Sequence, residues 1–258
     1  MIELPQPIAA LVDELAASQG AVAVMLGGSR AHGGGDPGSD FDLGLYYRGG
    51  IDLGPLAVHG AVHAPGAWGR VMNGGAWLSC GGHKVDVLLR DLDVVEHWTK
   101  RAEAGEFELD ALLGYTAGIP TYVLAAELAM GRVLRGSVPR VSFTRKLMEA
   151  APPKWRFCRT FSLEYARGHA RRGDIVGAVG QAARAALEEA HARLCERGQW
   201  VCNEKRLLET AGLADVHAVF AKTSMETAAL VSWVTDVAAV LGVAPGETTP
   251  WTAAGRNG

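Results

Sequence analysis

The stretch Ala21-Val22-Ala23-Val24-Met25-Leu26-Gly27-Gly28-Ser29-Arg30-Ala31-His32-Gly33-Gly34-Gly35-Asp36-Pro37-Gly38-Ser39-Asp40-Phe41-Asp42-Leu43 decides how the first half of the chain folds. An apolar run enters a glycine-rich turn, and a second run, Phe41 to Tyr47, leaves it. Short apolar runs bounded by glycine pairs are strands joined by turns. Asp40 and Asp42 stand two residues apart, so on an extended strand both project from one face. Two carboxylates so placed repel unless a cation lies between them, and hard divalent cations such as Mg²⁺ take oxygen ligands of this kind. A third acid, Asp86, lies in Lys84-Val85-Asp86-Val87-Leu88-Leu89, where Val85 and Val87 face the other way. The Gly28-Ser29 turn offers backbone N–H groups and a hydroxyl to phosphate oxygens. Acids and turn together predict a two-metal phosphoryl-transfer site.

Two rival readings of the turn fail. Gly33 to Gly38 satisfies Gly-x-Gly-x-x-Gly, but a dinucleotide fingerprint opens a long helix, and here Pro37 and a strand follow. A Walker loop requires Gly-Lys-Ser/Thr, which occurs nowhere in the chain.

Outward from this stretch, strands are predicted at Ala21 to Leu26, Phe41 to Tyr47, Ala76 to Cys80 and Lys84 to Leu89. Gly81-Gly82 supplies the positive φ of a two-residue hairpin between the last two. Helices are predicted at Ile8 to Ser18, Leu92 to Ala104 and from Pro120 through Leu128. Beyond residue 140 the periods are helical: Val176, Val179, Ala183, Ala186, Leu187, Ala190 and Leu194 form one stripe, with Arg184, Glu188 and Arg197 outward. Leu230, Val234, Val237 and Leu241 form another. Pro152-Pro153 predicts a break between a helix around Lys146 and one starting near Lys154. The expected fold is an α/β (α+β) N-terminal domain with a mixed sheet, residues 1–140, and an all-helical C-terminal bundle, residues 141–258. The last residues, Thr248 to Gly258, read as a loose tail.

Composition narrows the function. The 258 residues are 48% hydrophobic and 21% charged, enough apolar material for a core. The formal net charge of -3 excludes a protein that coats long nucleic acid. Residues 1–140 hold 10 Lys+Arg against 16 Asp+Glu and the remainder 15 against 12, so the basic residues gather in the second half. Glu3, Asp13 and Glu14 occupy the start where a signal peptide carries basic and then apolar residues, so none is expected. The most apolar stretch, Ala228 to Ala244, is interrupted by Ser232, Thr235 and Asp236 and is too polar to span a bilayer. Cys80, Cys158, Cys195 and Cys202 lack Cys-x-x-Cys spacing, and the histidines form no His-Glu-x-x-His helix. Reduced cysteines and a cytoplasmic location are expected, without zinc.

Gly28-Ser29, then Asp40-x-Asp42, then a separate strand bearing Asp86 resembles the pattern of the DNA polymerase beta nucleotidyltransferase superfamily. The resemblance to kanamycin-type aminoglycoside nucleotidyltransferases extends to Asp36, Gly38 and Ser39 before the paired acids, to the Lys-Val-acid-Val strand, and to Lys154-Trp155-Arg156 at the head of the helical half. It covers nearly the whole chain, strongly over residues 25–90 and weakly beyond 140. It implies that Asp40, Asp42 and Asp86 bind the two Mg²⁺ ions, and that Gly28, Ser29 and Arg30 contact the triphosphate, joined by Lys154 from the helical half. The hydroxyl proton would go to Glu149 or to Asp86 itself, the spacing of Glu149 from Lys154 departing from the family's by the proline pair. The implied reaction moves a nucleoside monophosphate, AMP from ATP, onto a hydroxyl of a small molecule, an aminoglycoside-like antibiotic foremost, in a homodimer. Alternatives are an adenylyltransferase acting on a protein or biosynthetic intermediate, and a noncatalytic nucleotide-binding or antitoxin-like partner.

Overall fold

The computed structural model of the chain describes residues 4–32 and 38–244, the side chain of His32 excepted. Asp36, with residues 33–37, and the tail from Thr248 lie outside the described residues. The chain divides into two compact units, residues 1–102 with 121–142, and residues 103–120 with 143–258.

In the first unit the order is α1 (Gln6–Ala17), β1 (Ala21–Leu26), β2 (Phe41–Tyr47), β3 (Gly60–His63), α2 (Gly69–Met72), β4 (Gly74–Cys80), β5 (His83–Asp91) and α3 (Leu92–Glu103). After the short strands β6 (Leu109–Asp110) and β7 (Ile119–Pro120) of the other unit come α4 (Val123–Met130) and β8 (Arg132–Gly136). β1 and β2 occupy the predicted residues, while β4 and β5 extend beyond theirs. Among the described residues the sheet has six strands in the order β3-β4-β5-β2-β1-β8. It is mixed, with β2 and β5 parallel between antiparallel neighbours. Cys80 pairs with His83 across Gly81 and Gly82, whose φ of 55° and 81° are the left-handed values that such a turn requires.

Strand alternation then sorts the side chains. Phe41, Leu43 and Leu45, with Val85, Val87 and Leu89, turn to the face where Ile8, Leu11, Val12 and Leu15 of α1 complete a buried core. The other face carries Asp42, Gly44 and Tyr46 beside Asp86, Leu88 and Arg90. At its far end Arg90, 1% exposed, donates to both carboxylate oxygens of Glu127 on α4, at 2.6 and 2.7 Å, and to the Met72 carbonyl. A paired, bidentate guanidinium is the form in which this charge tolerates burial.

The second unit is built on α5 (Arg145–Arg171), α6 (Ile175–Glu196), α7 (Leu207–Thr210), α8 (Val216–Phe220) and α9 (Thr227–Val240). The predicted break at Pro152-Pro153 does not occur, since α5 runs through both prolines. Its buried face, Leu147, Ala151, Trp155, Ser162, Ala166 and Ala170, is continuous past them, so packing overrides the lost backbone donors. Glu188, predicted to face outward, is fully buried instead. It accepts from the Ser162 hydroxyl at 2.8 Å and from Arg184 Nε at 2.9 Å, and burial raises its pKa. Among the described residues no helix is long and apolar enough to cross a membrane.

His191, 2% exposed, stacks on Trp155 at 4.3 Å, and burial lowers its pKa to about 4. The folded state therefore takes up the proton later than the unfolded one. Stability from this group is present above the unfolded pKa of 6.5 and is lost as pH falls toward 4, by about 3 kcal/mol in all. Glu188 acts in the opposite sense, its raised pKa giving up stability as pH rises above its ordinary value. Unfolding midpoints measured from pH 7 to pH 4 will fall more steeply for the native chain than for His191→Phe. Equal slopes would assign the acid sensitivity elsewhere.

Candidate active site

The glycine turn begins where β1 ends. Gly27 N–H donates to the Asp42 carbonyl at 2.8 Å, which ties the turn to β2. Gly28 has φ of 61°, and a Cβ built on it would lie 1.8 Å from Asp42 Oδ2. The carboxylate of Asp42 thus rests against the bare Cα of Gly28, in a backbone conformation that L side chains avoid. Ser29–His32 form a 3₁₀ turn, with Gly28 and Ser29 exposed. Arg30 donates through Nη2 and Nε to the Ser39 carbonyl, at 2.6 and 3.0 Å, and lies 4.1 Å from the Phe41 ring centroid. It braces the entry to β2, which is a structural task alongside the predicted phosphate contact.

Asp42 and Asp86 are direct partners in the parallel β2–β5 register. Their strands are about 4.8 Å apart, so the two carboxyl groups stand side by side on the sheet face away from the core. Asp40 is exposed one residue before β2 begins. Among the described residues no set of three or more His, Cys, Asp and Glu side chains is gathered as a metal site. The donor chemistry of the Asp42–Asp86 pair nevertheless fits a hard divalent ion, since both offer carboxylate oxygens from a rigid strand.

Lys154 and Glu149, predicted from the helical half, both lie on α5. Five residues of unbroken helix separate them by about 140° around its axis, so they do not share a face. Glu149 is exposed and accepts from Arg145 Nε at 2.7 Å. Lys154 donates to the Phe107 carbonyl and lies 4.3 Å from the Phe107 ring centroid. Asn203 to Arg206 is irregular, with a turn at Lys205 and Arg206 and α7 starting at Leu207. Its Glu204 accepts from the backbone N–H groups of Thr116 and Ala117, at 2.7 and 2.8 Å.

One group went unrecognised in the sequence. Trp77 on β4 is the antiparallel partner of Asp86. It is 55% exposed, stacks on Trp68 at 5.3 Å and meets His63 edge-on at 4.6 Å. The signal was the Gly81-Gly82 hairpin, because counting back from it sets Trp77 opposite Asp86.

No protein-family model matches the sequence, and no curated protein matches it in a sequence comparison. Among solved structures the chain is similar to a nucleotidyltransferase-like protein from Exiguobacterium sibiricum, at 13% identity and a TM-score of 0.44, over 92% of this chain and 74% of that one. It is also similar to an aminoglycoside 6-adenyltransferase from Bacillus subtilis, at 9% identity and a TM-score of 0.29, over 96% of this chain and 95% of the other.

Proposed function

We propose that the chain is an enzyme that transfers a nucleoside monophosphate from a nucleoside triphosphate, ATP foremost, to a hydroxyl group of a small molecule, with an aminoglycoside-like acceptor favoured. One observation carries this reading: Asp42 and Asp86 are register partners on parallel strands, with the Asp42 carboxylate seated against Gly28 of an exposed Gly-Ser turn. Acid pair and Gly-Ser turn therefore meet across three adjacent inner strands of one sheet.

In this reading the turn at Gly28 and Ser29 holds the β and γ phosphates, and Asp40, Asp42 and Asp86 hold Mg²⁺. The ion supplies charge neutralisation for the triphosphate and its leaving group. Asp86 takes the proton from the acceptor hydroxyl. The acceptor oxygen forms a bond to the α phosphorus while the bond to the bridging oxygen breaks, and pyrophosphate leaves. Work in the cytoplasm fits four free cysteines, and the negative net charge favours a small acceptor over long nucleic acid. The working form is a homodimer, for which the exposed rings of Phe157, Phe161 and Tyr165 along α5 offer an apolar surface.

The test is incubation of the purified protein with Mg²⁺, each of the four common nucleoside triphosphates and a panel of aminoglycosides and polyhydroxy metabolites, followed by pyrophosphate assay and product mass. A nucleotide-sized mass gain on a small acceptor is expected. A gain on protein would move the acceptor to a side chain, and nucleotide binding with no pyrophosphate across the panel would sink the catalytic reading.

A further inference from the structure

The proposed nucleotide site occupies β1, β2 and β5, and β4 is the next strand of the sheet. Across the sheet, at the level of the acids, the chain places in order the Gly27–Gly28 turn, Asp42, Asp86 and Trp77. An in-line displacement requires the attacking oxygen and the departing pyrophosphate on opposite sides of the α phosphorus. With the triphosphate tail at the glycine turn and the α phosphorus over the acids, the acceptor approaches from the β4 side. The nucleoside, attached at right angles to that line, is directed off the row.

Trp77 is what the acceptor meets there. Cross-strand partners have Cβ atoms about 5 Å apart, so Trp77 and Asp86 leave the same face of the sheet side by side. It is 55% exposed, an unusual state for so large an apolar ring on a sheet. It is also braced, since Trp68 stacks on it and the His63 ring contacts both indoles, at 5.0 and 4.6 Å. Gly75, next along the same face of β4, leaves room for this stack, because a Cβ there would stand 2.4 Å from the Trp68 ring. The result is a held aromatic surface beside two carboxylates. An indole face attracts cations and the C–H faces of saturated rings.

We infer that Trp77, braced by Trp68 and His63, is the acceptor platform, and that its ligand is an amino-substituted sugar ring laid on the indole with one hydroxyl directed at Asp86. This deepens the nucleotidyltransferase reading and rests on it for the line of attack. Trp77 acts by positioning and by selecting cationic rings.

The test is calorimetric titration of the full chain with kanamycin, as a polycationic amino sugar, and with trehalose as a neutral one, alongside a titration with the Mg²⁺ complex of a non-hydrolysable ATP analogue. The native chain is expected to prefer kanamycin. Trp77→Ala is expected to weaken kanamycin about tenfold, the scale of one desolvated cation–aromatic contact, and to leave the nucleotide analogue unchanged. Trp77→Phe should retain most of the affinity and thereby show that the fold survives substitution. The platform is overturned by unchanged kanamycin affinity in Trp77→Ala, by loss of the nucleotide analogue in its place, by equal binding of trehalose, or by a native chain that binds no kanamycin. The two readings separate. Kanamycin binding that depends on Trp77 without pyrophosphate release from any nucleotide upholds the platform and removes the transferase, whereas transfer with Trp77-independent binding does the reverse.

Discussion

Asp42→Asn will abolish nucleotidyl transfer, lowering product formation by about a thousandfold or more, because it removes a metal-binding oxygen where phosphoryl charge develops. The side chain keeps its size, so the packing against Gly28 survives. Loss of the negative charge also relieves the repulsion from Asp86 one strand away. The variant should therefore unfold no earlier than the native chain. That pairing of a dead enzyme with an undiminished melting temperature separates a chemical role from a structural one. Transfer by Asp42→Asn at the native rate, read as product mass, would remove the acid pair from the mechanism. A parallel collapse in melting temperature would show that Asp42 holds the sheet together instead.

Glu189→Ala will destabilise the second unit by about 3 to 5 kcal/mol. Glu189 is 3% exposed and accepts from Arg159 Nη1 at 2.8 Å and from Arg193 Nε at 3.1 Å, with Arg156 Nε at 3.5 Å. Arg159 is equally buried. Removing the carboxylate takes a buried charged acceptor away from that guanidinium in a poorly solvated place, and the penalty is mostly that of the weakened pairing of a buried cation. A double variant, Arg159→Met with Glu189→Met, removes both charges at similar volume and should recover much of the loss. Denaturant titration of the full chain measures both. Single and double variants equally unstable would mean that side-chain packing, not charge, is what Glu189 contributes.

The part of the fold legible in the sequence was the part written in short periods. Apolar runs bounded by glycine placed β1 and β2, and the Gly81-Gly82 pair placed the β4–β5 turn. What could not be read was set by neighbours distant in the chain. Pro152 and Pro153 carry a strong local instruction to stop a helix, yet the apolar face from Leu147 to Ala170 packs as one surface and prevails. Glu188 looks outward by composition, and only the Ser162 hydroxyl and Arg184 make its burial affordable. At the site, Asp42 and Asp86 were legible as acids on strands. Their direct register was not, because residues 60–80 form two strands that separate β2 from β5 in the chain while β5 returns to pair with β2. Trp77 is a different case: its partner follows from counting back along the Gly81-Gly82 hairpin, but a tryptophan in an apolar run reads as core until that count is made.

The strap of residues 103–120 has a consequence for how such a chain can be recombined. It folds with the second unit, where Thr144 Oγ1 donates to the Glu103 carbonyl, the Tyr115 hydroxyl donates to the Cys202 carbonyl, and Glu204 holds the N–H groups of Thr116 and Ala117. α4 and β8 then return to the first unit before the long helices begin. The two units are therefore interleaved along the gene, and no single crossover exchanges either one whole. A chimaera joined after residue 142 would pair a borrowed helical unit with a foreign strap, and Glu204 would have to find its two amide donors in a segment that did not evolve with it. Acceptor preference in such a lineage is expected to change by substitution within each unit more readily than by shuffling them.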